Sequence, residues 1–123
     1  MKYSRIIAGT MTWGIWGNKL SKTEIINRIK HCFEIGITTF DHADIYGAYT
    51  TEADFGKAFK TSSITREDIQ LISKCGIQLT CDTRNNKVKH YNYSKEHIVW
   101  SVENSLKNLN TDYLDLLLLH IPS

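Results

Sequence analysis

A parallel α/β fold is what this sequence predicts, on three observations. Short β-branched or aliphatic runs alternate with helical stretches in the order β-α-β-α-β-α-β, and such regular alternation gives a parallel sheet with right-handed crossovers. The last run carries Leu116 to Leu119 without interruption, the pattern of a strand covered on both faces. No G-x-G-x-x-G follows the first run and no G-x-x-x-x-G-K-[ST] occurs, so glycines that cradle phosphate do not point to a dinucleotide fold. Two architectures accept the pattern, an open doubly wound sheet and a (β/α) barrel.

Arg5 to Gly9 (RIIAG) is a short apolar strand, and the loop from Thr10 to Leu20 holds Trp13 and Trp16. Ser21 opens S-K-T-E, a capping box in which Ser21 and Glu24 each satisfy the other's backbone N–H, so a helix starts there. Its apolar stripe is Ile25, Ile26, Ile29, Cys32 and Phe33, and Gly36 closes it in a left-handed conformation. Ile37 to Phe40 (ITTF) is a second strand that delivers Asp41 to its C-terminal end. A less regular helix is expected from Thr51 to Phe59, then a strand over Ile69 to Ser73 (IQLIS), with Lys74 at its tip and Gly76 just past it. Cys81 to Tyr93 is polar, with Asn85, Asn86, Lys87, Lys89 and His90, and predicts a long excursion. Ser94 caps a third helix with the stripe Ile98, Val99, Val102, Leu106 and Leu109, which Asn110 ends. Tyr113 to Leu119 is the fourth strand.

With 41% hydrophobic and 23% charged residues over 123 positions, the chain can bury a core. Fifteen Lys plus Arg against thirteen Asp plus Glu leave a charge of +2, too small and too evenly spread for nucleic acid or an anionic membrane. Cys32, Cys75 and Cys81 are odd in number and lack a C-x-x-C pair, which fits a reduced, cytoplasmic setting. Met1 precedes Lys2, Tyr3, Ser4, Arg5 and only a short apolar stretch, so neither a signal-peptide core nor a membrane span is expected.

In a parallel barrel, functional groups gather at the C-terminal ends of strands, because the βα loops open on that face. Asp41, Lys74 and His120 fall at the ends of the second, third and fourth expected strands, and Tyr46 lies in the loop after Asp41. Adjacent strands place them within reach of one another. A Lys–Asp ion pair beside a tyrosine hydroxyl favours the phenol's anionic form, and a general acid so held contributes roughly 10² to 10⁴ in rate. Each residue also has a plainer use: Asp41 in a turn, Lys74 as a solvated strand end, Tyr46 as a loop aromatic, His120 as a strand terminus before Ile121 and Pro122. Their joint placement favours chemistry. His42 beside Asp44 suggests a metal pair, but no third ligand has suitable spacing, so no metal is expected. Cys75 reads as a small packed residue, and Glu52 as a structural one that fixes the helix after Tyr46.

F-D-H-A-D-I-Y-G at 40–47, E-A-D-F-G at 52–56, I-S-K-C-G at 72–76 and D-L-L-L-L-H at 115–120 resemble, in that order, the N-terminal half of a bacterial aldo-keto reductase. A-G-T-M-T-W-G at 8–14 is similar to that family's first strand and loop. The resemblance implies the N-terminal half of a (β/α)8 TIM barrel and an NADPH-dependent oxidoreductase that reduces aldehydes or ketones to alcohols. It implies Tyr46 as the general acid that protonates the carbonyl oxygen as hydride arrives, Lys74 as its activator, Asp41 as the anchor of Lys74, and His120 as the group that orients the carbonyl. By the same resemblance Thr10, Met11 and Asp41 lie near the nicotinamide ribose, and Trp13, with Tyr46 and His120, walls the pocket for a small-molecule carbonyl substrate. The alternative it carries is a non-catalytic remnant or a cofactor-sensing interaction module.

A closed barrel takes eight strands and about 250 residues. Residues 1–123 supply about four strands and three helices, so this domain is expected to stop after the fourth strand. The resembling family's later strands, which hold the nicotinamide amide and the 2′-phosphate, have no counterpart here. Two open strand edges are then expected to favour self-association.

Overall fold

Short extended runs line up in parallel and the helices between them cover one side. In the computed structural model, which describes residues 2–81, 84 and 87–121, the order is β1 (Ile7–Gly9), α1 (Lys22–Glu34), β2 (Thr39–Asp41), a helical turn α2 (Tyr46–Tyr49), α3 (Thr51–Ser62), β3 (Gln70–Cys75), β4 (Ile77–Gln78), β5 (His90–Tyr91), α4 (Lys95–Leu109) and β6 (Leu116–Leu119). β1, β2, β3 and β6 pair in parallel in that spatial order, with Gly9 opposite Asp41, Asp41 opposite Ile72, and Lys74 opposite Leu118. β4 and β5 form a separate antiparallel pair.

Local chemistry sets the ends of these elements. Ser21 Oγ accepts from the Glu24 N–H at 3.1 Å while the Glu24 carboxylate accepts from the Ser21 N–H at 2.9 Å, the expected capping box. Gly36, at φ +88°, closes α1 as a Schellman motif: the Ile37 N–H reaches the Cys32 carbonyl and the Gly36 N–H that of Phe33. Ser94 caps α4 through the His97 N–H, and Asn110 ends it in the left-handed conformation.

Strand alternation turns Phe40, Leu71 and Ser73 toward the helices and Thr39, Asp41, Gln70, Ile72 and Lys74 toward the other face. The core lies between sheet and helices, where Ile25 and Ile29 of α1, Phe55, Ala58 and Phe59 of α3, and Leu109 of α4 meet Phe40, Leu71 and Trp13. Phe55 is its hub, with ring centroids 5.3 Å from Phe40 and 6.2 Å from Trp13. Each such fully buried side chain contributes about 1.5–3 kcal/mol by leaving water.

Several expectations need correction. β1 and β6 are shorter than Arg5–Gly9 and Tyr113–Leu119, because each is a sheet edge that pairs on one side only. β6 is not covered on both faces: Leu116, Leu118 and Leu119 are 38%, 40% and 50% exposed, since no element among the described residues lies across that edge. Phe33 drops out of the α1 stripe and is exposed. α4 packs through Ser101, Ser105 and Leu109 rather than through the larger stripe that includes the exposed Val99. The α3–α4 approach is the reason, for a Cβ on Gly56 would overlap the Asn108 carbonyl, and only small side chains fit such a contact. Lys74 lies within β3, not at its tip. The polar excursion is pinned at its base by the β4–β5 pair and by the Asn92 N–H, which donates to the Gly76 carbonyl at 2.7 Å. Its Asn85 and Asn86, like Pro122 after β6, lie outside the described residues.

Candidate active site

An ammonium has three protons to donate and no lone pair to offer. The Lys74 Nζ places all three: on Asp41 Oδ1 at 2.8 Å, on the His42 carbonyl at 2.9 Å and on the Tyr46 hydroxyl oxygen at 3.1 Å. The ion pair is partly shielded, with the side chains of Lys74 and Asp41 15% and 31% exposed. Because Lys74 can only donate, the Tyr46 oxygen must accept from it. The phenol's own proton is left for another acceptor.

The backbone after Tyr46 is unusual. Gly47, Ala48 and Tyr49 all take positive φ, at 64°, 51° and 72°. A run of left-handed residues costs energy at the non-glycine positions and persists only where neighbours fix it. Here the Thr50 hydroxyl donates to the Gly47 carbonyl at 2.6 Å, and the Tyr49 hydroxyl accepts from the Leu79 N–H at 2.8 Å. The turn aims Tyr46 back at β3.

His120 follows β6 directly, its N–H donating to the Cys75 carbonyl at 2.7 Å and its carbonyl accepting from the Tyr93 hydroxyl at 2.9 Å. Burial, and then the Lys74 charge, lower its pKa, while Asp41 opposes them. The ring is therefore neutral near pH 7, and its buried Nδ1 has no hydrogen-bond partner among the described residues. The structure brings Asp41, Tyr46 and Lys74 into direct contact and sets His120 beside them without a hydrogen bond to any of the three among the described residues.

Two of the expected cofactor and substrate positions, Thr10 and Trp13, have buried side chains. Thr10 is fully buried, and its hydroxyl donates to the Asp41 carbonyl at 3.1 Å, so it holds Asp41 from behind. Trp13 is 5% exposed and packs in the core, with Arg28 over its ring at 5.4 Å. Trp16, exposed at 42%, has its ring centroid 6.4 Å from that of Tyr46. Both tryptophans occupy one loop, and only packing separates them. Met11 is exposed.

Around these residues lies a buried polar layer. Glu52 accepts from the Ser73 hydroxyl at 2.7 Å and the Ser105 hydroxyl at 2.9 Å, and Asp44 accepts from Ser101 at 2.8 Å. Burial raises the pKa of both carboxyls, that of Glu52 to about 7. Cys75 is buried and its thiol is held neutral by the same desolvation. Among the described residues no group of three His, Cys, Asp or Glu lies close enough to hold a metal ion, and no helix is long and apolar enough to cross a membrane. A cavity of about 510 Å³ stands apart from the four residues, lined by Tyr49, Gln78, Arg84, His97, Trp100 and Asn104 among others. His42 is the site residue that sequence reasoning missed: it contributes a backbone carbonyl, which no residue type signals.

The family model of the aldo/keto reductase family matches residues 5–123. The chain is 49% identical to the uncharacterized oxidoreductase YcsN of Bacillus subtilis, an alignment that takes in 99% of this chain and 40% of that protein. It is 40% identical to the 6-dehydroglucose reductase of Agrobacterium fabrum, over 99% of this chain and 41% of that one. The chain thus spans about 40% of the length of the curated relatives it matches. Among solved structures, the holo form of an aldo-keto reductase from Bacillus halodurans superposes with a TM-score of 0.78 at 30% identity, covering 98% of this chain and 37% of that one. The parallel strands and helices described above correspond to the N-terminal part of the (β/α)8 barrel of these structures. A family match over nearly the whole length, carried by relatives approaching half identity, decides the matter: the chain belongs to the aldo/keto reductase family.

Proposed function

We propose that this site reduces aldehydes or ketones to alcohols with NADPH, Tyr46 being the proton donor. The observation that carries the reading is the one-way hydrogen bond from Lys74, which leaves the Tyr46 proton for a substrate oxygen. When bound, the nicotinamide supplies a hydride to the carbonyl carbon. Tyr46 gives its proton to the carbonyl oxygen, Lys74 stabilises the phenolate left behind, and Asp41 keeps Lys74 in place. His120, neutral, offers a ring nitrogen toward the same oxygen. The residues present fit the nicotinamide-ribose end of such a cofactor: the Asp41 carboxylate is partly exposed for a sugar hydroxyl, Met11 of the first loop is exposed, and the orphaned His120 Nδ1 calls for a polar neighbour. The unpaired thiols of Cys32 and Cys75 fit a cytoplasmic setting.

The test is loss of NADPH absorbance with a panel of aldehydes and ketones, alongside cofactor binding read from tryptophan fluorescence. Tyr46→Phe is expected to lower turnover by at least about 10²-fold and leave cofactor affinity nearly intact, since only the proton donor is removed. Unchanged turnover in that variant would sink the role given to Tyr46. The exposure of Ile7, Leu116 and Leu118 favours a second reading for the isolated chain, cofactor binding without turnover. Saturable NADPH binding with no aldehyde reduced would select it.

A further inference from the structure

We propose that His42 is a positioning residue for the Asp41–Lys74 pair, holding both partners from the buried side of the sheet through its ring, its carbonyl and Thr10. Only the kinetic arm of the test below rests on the reductase reading.

The geometry is a closed set of contacts. The His42 N–H donates to the Ile72 carbonyl at 2.8 Å, extending the β2–β3 ladder beyond Asp41. Its own carbonyl accepts from Lys74 Nζ at 2.9 Å. Its ring Nδ1 lies 2.9 Å from the Thr10 hydroxyl, and that hydroxyl donates to the Asp41 carbonyl at 3.1 Å. The Thr10 N–H reaches the same carbonyl, also at 3.1 Å.

Proton counting fixes the tautomer. A hydroxyl has one proton, and if Thr10 gives it to Asp41, then Thr10 must accept from His42, so the proton sits on Nδ1. The opposite tautomer would bury an N–H at Nε2, which has no partner among the described residues, and would deprive Asp41 of a donor. The ring is fully buried, packed edge-on to Phe55 with centroids 4.4 Å apart. Burial, with the Lys74 charge second, pushes its pKa down to about 3, so it keeps this neutral form through the neutral pH range. His42 thereby holds the peptide that carries the carboxylate through its immobile ring and Thr10, and the ammonium that meets it through its own backbone carbonyl.

The test compares His42→Asn, whose amide nitrogen can reproduce the Nδ1 donor, with His42→Leu, which fills space without one, and with Thr10→Val, which removes the relay hydroxyl and leaves the ring. The ¹⁵N spectrum of the imidazole should show a neutral, Nδ1-protonated ring. Exchange of the Lys74 ammonium protons with water, slow in the native protein, should accelerate about tenfold in His42→Leu and Thr10→Val and recover in His42→Asn. Where NADPH-dependent reduction is measurable, kcat should fall about tenfold in the same two variants with cofactor affinity unchanged, short of the roughly hundredfold that misplacement by about 1 Å costs. An Nε2-protonated ring, or a Lys74 ammonium that exchanges alike in all four proteins, overturns the proposal. A native protein that reduces no carbonyl overturns the reductase reading instead, and the exchange rates still decide the role of His42.

Discussion

Glu52 is a carboxyl held between two serines in a dry layer, each of its oxygens accepting one hydroxyl proton. Desolvation dominates its pKa, the two serines and Arg84 opposing and Asp44 reinforcing the shift, and the folded value of about 7 stands above the ordinary 4.5. Folding therefore favours the protonated form. The resulting stabilisation is complete below pH 4.5 and is lost as pH rises through about 7, in total of order 3 kcal/mol. Glu52→Gln should flatten this part of the stability curve, so that thermal melts of the two proteins diverge as pH rises from acid to neutral. Parallel pH slopes would contradict the assignment. At this scale the sequence shows side-chain chemistry well and backbone chemistry poorly. Asp41, Tyr46 and Lys74 were legible because Asp41 and Lys74 carry opposite charges toward the ends of adjacent strands and Tyr46 follows in the next loop, a meeting that the structure contains at 2.8 and 3.1 Å. The His42 carbonyl was not, because every residue has one. Glu52 reads as a helix-fixing residue, whereas its oxygens join β3 to α4, a link that only the packing of α3 reveals.

At the scale of elements, α3 and α4 touch where Gly56 faces the end of α4, with no room for a methyl group between Gly56 and the Asn108 carbonyl. Gly56→Ala is expected to destabilise by about 1–3 kcal/mol despite alanine's better helix propensity, because the backbone of α4 must shift. An equal or raised melting temperature would show that the two helices part freely. Helix termini were legible, since caps depend on neighbours in sequence: Ser21 with Glu24, Gly36 with Phe33 and Cys32, Ser94 with His97. The facing of α4 was not, because its contact surface is set by how close α3 comes rather than by its own apolar stripe. β4 and β5 are too short to carry any periodicity, and their pairing depends on a return of the chain that the polar stretch does not announce. The leucine run of β6 states what a strand would bury, not whether an element is there to bury it.

For the whole molecule, the parallel sheet ends on two unpaired edges, β1 and β6, and the face opposite the helices exposes Ile7, Leu116 and Leu118 beside the charged pair. Open edges and apolar surface drive association. The 123-residue chain is expected to sediment as an oligomer at micromolar concentration, through this face, and Leu118→Lys should shift it toward monomer. A monomer throughout would show that the face tolerates water. The overall order of strands and helices was legible because alternation repeats it along the chain; the exposure of one face was not, since burial is a property of the assembled layers.

Gly76 has a reach beyond its own turn. At φ +129° it lies where a Cβ would run into the Tyr93 ring, and Tyr93 in turn holds the His120 carbonyl while Asn92 ties back to Gly76. The excursion thus leaves and re-enters the sheet end through one clasp, with its fastening next to Lys74. Leu79 and Arg84 reach back from it to Tyr49, so a change of chain on the far side of the clasp is felt first at the turn behind Tyr46 and only later at Lys74.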